Sequence, residues 1–176
     1  MKKILIFALC FFIATASFSQ TSDAKVKKLP AVTIKNIEGK SINTSEISNN
    51  GKPIIVSFWA LWCKPCQKEL STINEVYDEW QKETGVKLVA VSIDDARSTA
   101  RVKPTADGNN WGYEILLDVN SEFKRAMNVN QIPHTFLLNG KGEIVWQHTS
   151  FSEGSELELI ELVRKLNKGE DISTNK

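Results

Sequence analysis

Two cysteines, Cys63 and Cys66, stand two residues apart in the segment Trp62–Cys66, directly after the apolar run 54–60. Such a run is typical of a buried strand, and Pro65 suits the first turn of a helix, where its missing N–H costs nothing. A sulfur at that helix start lies among unpaired backbone N–H groups and at the positive end of the helix dipole. Both favour the thiolate, which is the attacking species in disulfide exchange. The pair therefore predicts redox chemistry, with Cys63 as the exposed nucleophile and Cys66 as the thiol that resolves the mixed disulfide.

A cysteine pair with this spacing also occurs in zinc sites and at haem attachment sites. Zinc needs further ligands, and the two histidines, His134 and His148, lie far along the chain. Haem attachment needs a histidine after the second cysteine, and Gln67 occupies that position. Redox chemistry is favoured, while a metal-delivery module that uses Cys63, Cys66 and His134 stays open as an alternative from another class.

The overall composition suits one globular domain. Of the 176 residues, 41% are hydrophobic and 24% are charged, which allows a sizeable core. The formal net charge is +1 and there is no basic run, so we expect no nucleic-acid partner. Lys2 and Lys3 precede an apolar centre and then small residues, so residues 1–19 are interpreted as a secretory signal peptide. The alternative is an uncleaved N-terminal segment that anchors the protein in a membrane.

Cleavage of the signal peptide would remove Cys10 and leave Cys63 and Cys66. An exported protein with a single cysteine pair has no disulfide framework, so the pair is available for chemistry. We expect the protein outside the cytoplasm, in the periplasm. The rest of the chain is predicted to comprise a linker at 20–28, a folded domain at 29–168 and a polar tail at 169–176.

Strand-like and helix-like patterns alternate along the predicted domain. The expected elements are a hairpin or an irregular pair of short strands within 31–42, a helical turn at 44–47, a strand at 54–60, a helix from Pro65 to about residue 83 that Gly85 ends, a strand at 86–93, a helix at 97–105 capped by Asp94 and Asp95, a strand at 113–117, a short helix capped by Asn120, strands at 135–138 and 143–148, and a final helix at 157–166. That order predicts an α/β sandwich with a mixed central sheet.

The run Val56–Cys66, followed later by Ile132–Leu137, resembles the thioredoxin superfamily. The extracytoplasmic TlpA/ResA-like branch of that superfamily is resembled in particular. The similar features are the signal peptide, the lead-in at 31–47 and a strand–helix unit around 86–107. The resemblance covers about residues 29–168. It implies a thioredoxin-like sandwich with an N-terminal β extension and an inserted strand–helix unit.

The resemblance also implies roles for residues around the cysteines. Pro133 matches the family's cis-proline, which would lie against the cysteine pair, and the backbone of Ile132 would pair with an extended substrate segment. Glu69 matches a glutamate of the ResA-like branch. At i+3 it shares a helix face with Cys66, and it would take the proton of that thiol when the thiol attacks. Ser57 stands where thioredoxins proper carry a buried aspartate, which is a departure from the cytosolic type.

Three further side chains lie close to these positions in the sequence. Trp62 would cover the sulfur pair and offer the substrate an apolar contact. Lys64 adds positive charge, which favours a thiolate. His134 is a candidate modulator of the thiolate, although a lone histidine at a loop–strand junction is more often simply exposed. His148 is interpreted as an ordinary strand residue.

These features predict an exported oxidoreductase that reduces protein disulfides, with no cofactor beyond its own dithiol. The expected partners are extracytoplasmic protein thiols and disulfides, together with a membrane-embedded thiol donor. The alternative within the same fold is a thiol peroxidase, which places a Thr three residues and a Pro seven residues before its reactive cysteine. Ala60 and Val56 occupy those positions here, which argues against a peroxidase.

Overall fold

The computed structural model describes residues 27–170 and residue 172. The predicted signal peptide at 1–19 lies outside the described residues, as do most of the predicted linker and most of the predicted tail. Within that tail, Ile172 is buried and packs in the core. None of the described helices combines the length and the apolar character that crossing a bilayer requires.

One mixed sheet forms the centre of the described structure. Its strands are β1 (Thr33–Asn36), β2 (Ser41–Asn43), β3 (Ile54–Trp59), β4 (Lys87–Ser92), β5 (Glu114–Leu117), β6 (His134–Leu138) and β7 (Ile144–Thr149). They lie side by side in the order β2-β1-β5-β4-β3-β6-β7. Strands β3, β4 and β5 run parallel, whereas β1 and β6 join the sheet antiparallel to β5 and β3. The predicted mixed sheet and the N-terminal hairpin are both present.

Helices cover both faces of this sheet. They are α1 (Lys64–Thr84), α2 (Val102–Gly108), α3 (Glu122–Ala126) and α4 (Ser155–Asn167), with 3-10 turns at Thr44–Glu46 and Thr99–Arg101. The predicted strand–helix unit around 86–107 corresponds to β4 and α2. Gly85 ends α1 in the left-handed conformation (φ 70°), which glycine adopts without steric cost. The fold is the predicted α/β sandwich.

The central strand β3 is buried along its whole length, which explains its unbroken apolar character. Alternate residues face opposite sides of the sheet. Ile55 packs into a core shared with α1, α2 and α4. Phe58 faces the other side, where its ring centroid lies 5.1 Å from that of Phe123 on α3. Both ends of β3 are therefore fixed, and its carboxyl end leads directly to the cysteine pair.

Two predicted helix caps are wrong. Asp94 is buried, and its carboxylate accepts a hydrogen bond from the Leu61 N–H in the loop after β3. Asp95 instead accepts from the Arg97 N–H and so stabilises a turn. The regular helix begins only at Val102. Helix α3 is capped by Asp118 rather than Asn120, because a left-handed turn before the helix brings the Asp118 carboxylate over its first N–H groups.

Candidate active site

The cysteine pair lies where β3 passes into α1. Cys63 is the N-cap of α1, and its Sγ accepts a hydrogen bond from the Cys66 backbone N–H at 3.3 Å. The two sulfurs are joined in a disulfide, with the Cα atoms 5.3 Å apart. Cys66 is fully buried and Cys63 is 5% exposed, so a partner reaches the pair through Cys63. The prediction of an exposed Cys63 holds only relative to Cys66.

The loop that carries Cys63 is fixed by side chains on either side of it. The Leu61 N–H donates to Asp94 Oδ2 at 2.9 Å, and the Leu61 carbonyl accepts a hydrogen bond from the Gln67 side chain. Asp94 Oδ2 also accepts from the Ser92 hydroxyl at 2.9 Å. The loop is therefore tied to both β4 and α1, which holds the nucleophile in place.

Two exposed side chains border the cysteine pair. Trp62 is 68% exposed, so its ring forms an apolar surface beside the pair rather than a closed cover over it. Lys64, the first residue of α1, is exposed. Large exposed aromatic side chains are a common means of binding a protein partner.

Glu69 is buried on α1, three residues beyond Cys66, with 4% of its surface exposed. The Ser57 hydroxyl donates to its Oε2 at 3.2 Å, and the Thr135 hydroxyl donates to its Oε1 at 3.0 Å. Ser57 and Thr135 are opposite each other on β3 and β6, with their hydroxyl oxygens 3.1 Å apart. One carboxyl from a helix thus meets two hydroxyls from neighbouring strands.

Burial raises the pKa of the Glu69 carboxyl from 4.5 to about 7, because the charged form loses its hydration. The hydrogen bonds from Thr135 and Ser57 lower this pKa, but their effect is smaller than that of burial. A carboxyl with a pKa near 7 exists in both protonation states at neutral pH. It is therefore suited to accept and return a proton.

The Ile132–Pro133 peptide bond is cis, as the resemblance implies. Pro133 is buried, and its carbonyl accepts a hydrogen bond from the Ser150 N–H at 3.0 Å. Strand β6 begins at the next residue, His134, which is paired with Phe58 near the end of β3. The register therefore brings Ile132 and Pro133 to the end of the sheet where the cysteines lie.

The expectation that His134 is simply exposed is wrong. The side chain is buried, with its ring stacked on Phe136 at 4.3 Å and its Nε2 3.3 Å from Gln147 Oε1. Burial lowers the pKa of His134, so the ring is neutral at pH 7. Since Thr135 faces Glu69, the neighbouring His134 faces the opposite side of the sheet.

The described residues give no support to a metal site. Across residues 27–170, no group of three or more His, Cys, Asp or Glu side chains is placed to hold a metal ion. The two thiols are joined to each other, and the His134 imidazole faces away from Glu69. The metal-delivery alternative is not favoured.

The fold and the site together define a class of protein: a thioredoxin-fold protein with a disulfide at the start of a helix and a cis-proline immediately before β6. Sequence comparison extends this. The profile of the AhpC/TSA family matches residues 26–147, so the chain belongs to that family.

Similar proteins carry names that agree with the site. The chain is 34% identical over 147 residues to sporulation thiol-disulfide oxidoreductase A of Bacillus subtilis, covering 81% of this chain and 87% of that protein. It is 27% identical over 164 residues to thiol-disulfide oxidoreductase ResA of Bacillus cereus, covering 93% and 91%. A solution structure of a thioredoxin-like protein from Porphyromonas gingivalis is 58% identical and superposes with a TM-score of 0.72, covering 80% and 92% of the two chains.

The predicted class is confirmed: the chain is a thiol–disulfide oxidoreductase of the thioredoxin fold. The peroxidase alternative is not favoured, because Ala60 and Val56 replace the expected Thr and Pro and the two Bacillus relatives are named as oxidoreductases. Two features of the site were missed in the sequence: the hydrogen bond from Thr135 to Glu69, and the burial of the Nε2 atom of His148, which stands opposite Thr135 in the β6–β7 pairing. Nothing in the local pattern around residues 135 or 148 distinguishes them from other strand residues.

Proposed function

We propose that the protein reduces disulfide bonds in other proteins outside the cytoplasm. The observation that carries the proposal is the disulfide between Cys63, at the start of α1, and the fully buried Cys66, with the buried Glu69 three residues further along the same helix. The reactive unit is the protein's own dithiol, and the reaction needs no further cofactor.

The reaction begins with the reduced pair. The Cys63 thiolate attacks one sulfur of the substrate disulfide, forming a mixed disulfide and releasing the other substrate sulfur as a thiolate. The Cys66 thiol then gives its proton to the Glu69 carboxylate, three residues along the same helix face. The resulting Cys66 thiolate attacks the Cys63 sulfur, and the second substrate sulfur leaves. The substrate has gained two electrons, and Cys63 and Cys66 are again a disulfide.

The substrate would bind across the surface that surrounds the pair. Trp62 supplies an exposed apolar face on one side. The backbone of Ile132, immediately before the buried Pro133, supplies hydrogen-bonding groups for an extended segment on the other. Contacts to backbone rather than to particular side chains suit a protein that acts on several partners.

The direction of electron flow follows from how strongly the Cys63 thiolate is stabilised. A very stable thiolate makes a strong oxidant, since the reduced form is then favoured. Lys64 carries the positive charge within the motif and is exposed, while His134 is neutral at pH 7 because burial lowers its pKa. Moderate stabilisation implies a reducing couple.

Location and partners extend the proposal. The N-terminal pattern at 1–19 favours export, and an exported dithiol is oxidised unless a donor reduces it again. We infer a membrane-embedded thiol donor that keeps the pair reduced, and protein disulfides outside the cytoplasm as substrates. The near-neutral net charge offers nucleic acid no attraction.

Equilibration against glutathione and dithiothreitol buffers tests the direction. We expect a reduction potential nearer to the about −270 mV of thioredoxin than to the about −120 mV of a strong oxidant. The reduced protein should also reduce the insulin disulfides, whereas Cys63→Ser should not. A potential near the oxidising end would overturn the reductase proposal, and rapid peroxide consumption without disulfide exchange would overturn the class of reaction.

A further inference from the structure

A buried proton acceptor needs a route to solvent. Glu69 is 4% exposed, and burial raises the pKa of its carboxyl to about 7, so at pH 6 most folded molecules carry a proton there. A protonated Glu69 must release that proton before it accepts the one on Cys66. The reaction proposed above therefore depends on an exit path from the Glu69 carboxyl.

A small cavity borders Glu69, and neither Cys63 nor Cys66 lines it. It lies between α1, β6, β7 and the start of α4, and its volume is about 10 Å³. That is close to the least space that one water molecule needs. Its polar lining comes from four elements, and those side chains are Glu69, Thr135, His148, Ser155 and Glu156. These side chains would offer a water the two to four polar partners that buried waters require.

His148 is the titratable group that the cavity brings toward Glu69 from β7. It stands directly opposite Thr135 in the β6–β7 pairing, and Thr135 in turn donates to Glu69. Its Nε2 is buried and has no hydrogen-bond partner among the described residues. Its ring is stacked on Trp146 with an interplanar angle of 10°, which holds the ring plane. The residue as a whole is only partly buried, so the imidazole extends from the cavity toward the surface.

We propose that His148 is the proton relay between Glu69 and solvent, acting through one water molecule in this cavity. The Glu69 carboxyl gives its proton to the water as the water gives one to His148 Nε2. The imidazolium then releases a proton to solvent from its other nitrogen, and the reverse sequence reloads Glu69. No electrons move in these steps, and each proton taken up on one side leaves on the other. His148 touches neither cysteine, so it is a positioning and relay residue, and its role rests on the proposed function.

Each element around the cavity contributes to the local charge. Helix α1 supplies Glu69 and α4 supplies Glu156, whose Oε2 accepts a hydrogen bond from the Gly154 N–H at 3.1 Å. On β6, His134 faces the opposite side of the sheet. Glu156 is therefore the other group in the cavity lining that could accept the proton from Glu69 through the water. A Glu156 variant is the matched control for the His148 variant.

Resolution of the mixed disulfide at two pH values tests the relay. At pH 8.5 most Glu69 carboxyls are ionised and take the Cys66 proton directly, so His148→Gln should slow resolution by less than about twofold. At pH 6 the carboxyl must first release its own proton, and the variant should be slower by roughly tenfold or more. This is below the ~10²–10⁴-fold that a directly acting base contributes. Adding imidazole at constant pH and ionic strength should restore the lost rate, because the buffer then carries the proton.

The Glu156→Gln variant distinguishes a relay through His148 from a proton exit through Glu156. It should resolve the mixed disulfide at the wild-type rate at both pH values. Three results would each overturn the relay. His148→Gln could be slowed equally at pH 6 and at pH 8.5, or it could resolve the mixed disulfide at the wild-type rate at both pH values. Alternatively, the slowing at pH 6 could occur in Glu156→Gln and not in His148→Gln. Every rate is measured on protein that has already formed the mixed disulfide. If the proposed function itself is wrong, no mixed disulfide forms, and this is seen before any rate is compared.

A second measurement does not depend on the stability of a His148 variant. The ¹⁵N shifts of His148 Nε2 are compared between the oxidised wild-type protein and Glu69→Gln, and the ¹³C shift of the Glu69 carboxyl is followed in the wild type. The difference between the two ¹⁵N shifts should change across the pH range in which the Glu69 carboxyl titrates. A difference that stays constant across that range would show that the two groups are not connected and would overturn the proposal.

Discussion

Replacing Glu69 by Gln should change how the stability of the oxidised protein depends on pH. Glu69 is buried, and its pKa is raised from 4.5 to about 7 chiefly by burial. Below pH 4.5 the carboxyl is protonated in both the folded and the unfolded chain, and it has no pH-dependent effect. As the pH rises from 4.5 to 7, the unfolded chain loses this proton while the folded chain keeps it, so the folded state loses stability. Above pH 7 the loss is complete.

The size of that loss follows from the shift. A difference of roughly 2.5 pKa units, at about 1.36 kcal/mol per unit, is about 3 kcal/mol. Gln has nearly the same shape and never ionises, so the variant lacks this loss. Relative to the wild type, Glu69→Gln should therefore gain about 3 kcal/mol of unfolding free energy between pH 4 and pH 8.5. For a domain of this size that corresponds to a relative Tm gain of roughly 6–12 °C.

Urea unfolding of both oxidised proteins across pH 4–8.5 measures the difference directly. Other carboxyl groups contribute equally to the two proteins and cancel in the difference. Glu75→Gln, at an exposed position on the same helix, controls for removal of a glutamate from α1. A difference that stays constant within about 0.5 kcal/mol, or that favours the wild type as the pH rises, would show that Glu69 is ionised in the fold.

Two further predictions concern the surroundings of the pair. Thr135→Val removes a hydrogen bond that lowers the pKa of Glu69, so this pKa should rise above 7. Ser57→Ala should raise the same pKa by less, because the Ser57 hydrogen bond lowers it less. ¹³C NMR titration of the Glu69 carboxyl measures both changes. Trp62→Ala should change the unfolding free energy by no more than about 0.5 kcal/mol, because the side chain is 68% exposed, while kcat/KM for a protein disulfide falls. A large loss of stability, or unchanged kcat/KM, would contradict the assignment of Trp62 to substrate binding.

The position of the cysteine pair was predictable because its signals are local. The apolar run 54–60 indicates a strand. Pro65, two residues after Cys63, and the helical spacing of apolar residues beyond it indicate a helix that begins there. These features place Cys63 at the N-cap whatever the rest of the chain does. Gly85 likewise ends α1 through its own backbone freedom.

The environment of Glu69 was not predictable in the same way. Spacing puts Glu69 on the helix face of Cys66, but its burial depends on Thr135, which is 66 residues away and reaches it only through the pairing of β6 with β3. His148 shows the same limit, since its position in the cavity depends on how α4 packs over β7. His134 was misjudged because its burial depends on Phe136 and Gln147, which contact it only in the folded sheet.

The central claim is that Cys63 attacks and Cys66 resolves. Mass spectrometry under non-reducing conditions tests it most directly, after reduced Cys66→Ser and reduced Cys63→Ser are each mixed with a disulfide-bonded protein substrate. We predict that Cys66→Ser accumulates a stable mixed disulfide through Cys63, because the attack proceeds and the second step cannot. Cys63→Ser should form none, because Cys66 is fully buried. Accumulation of the mixed disulfide by Cys63→Ser, with none in Cys66→Ser, would contradict the assigned roles.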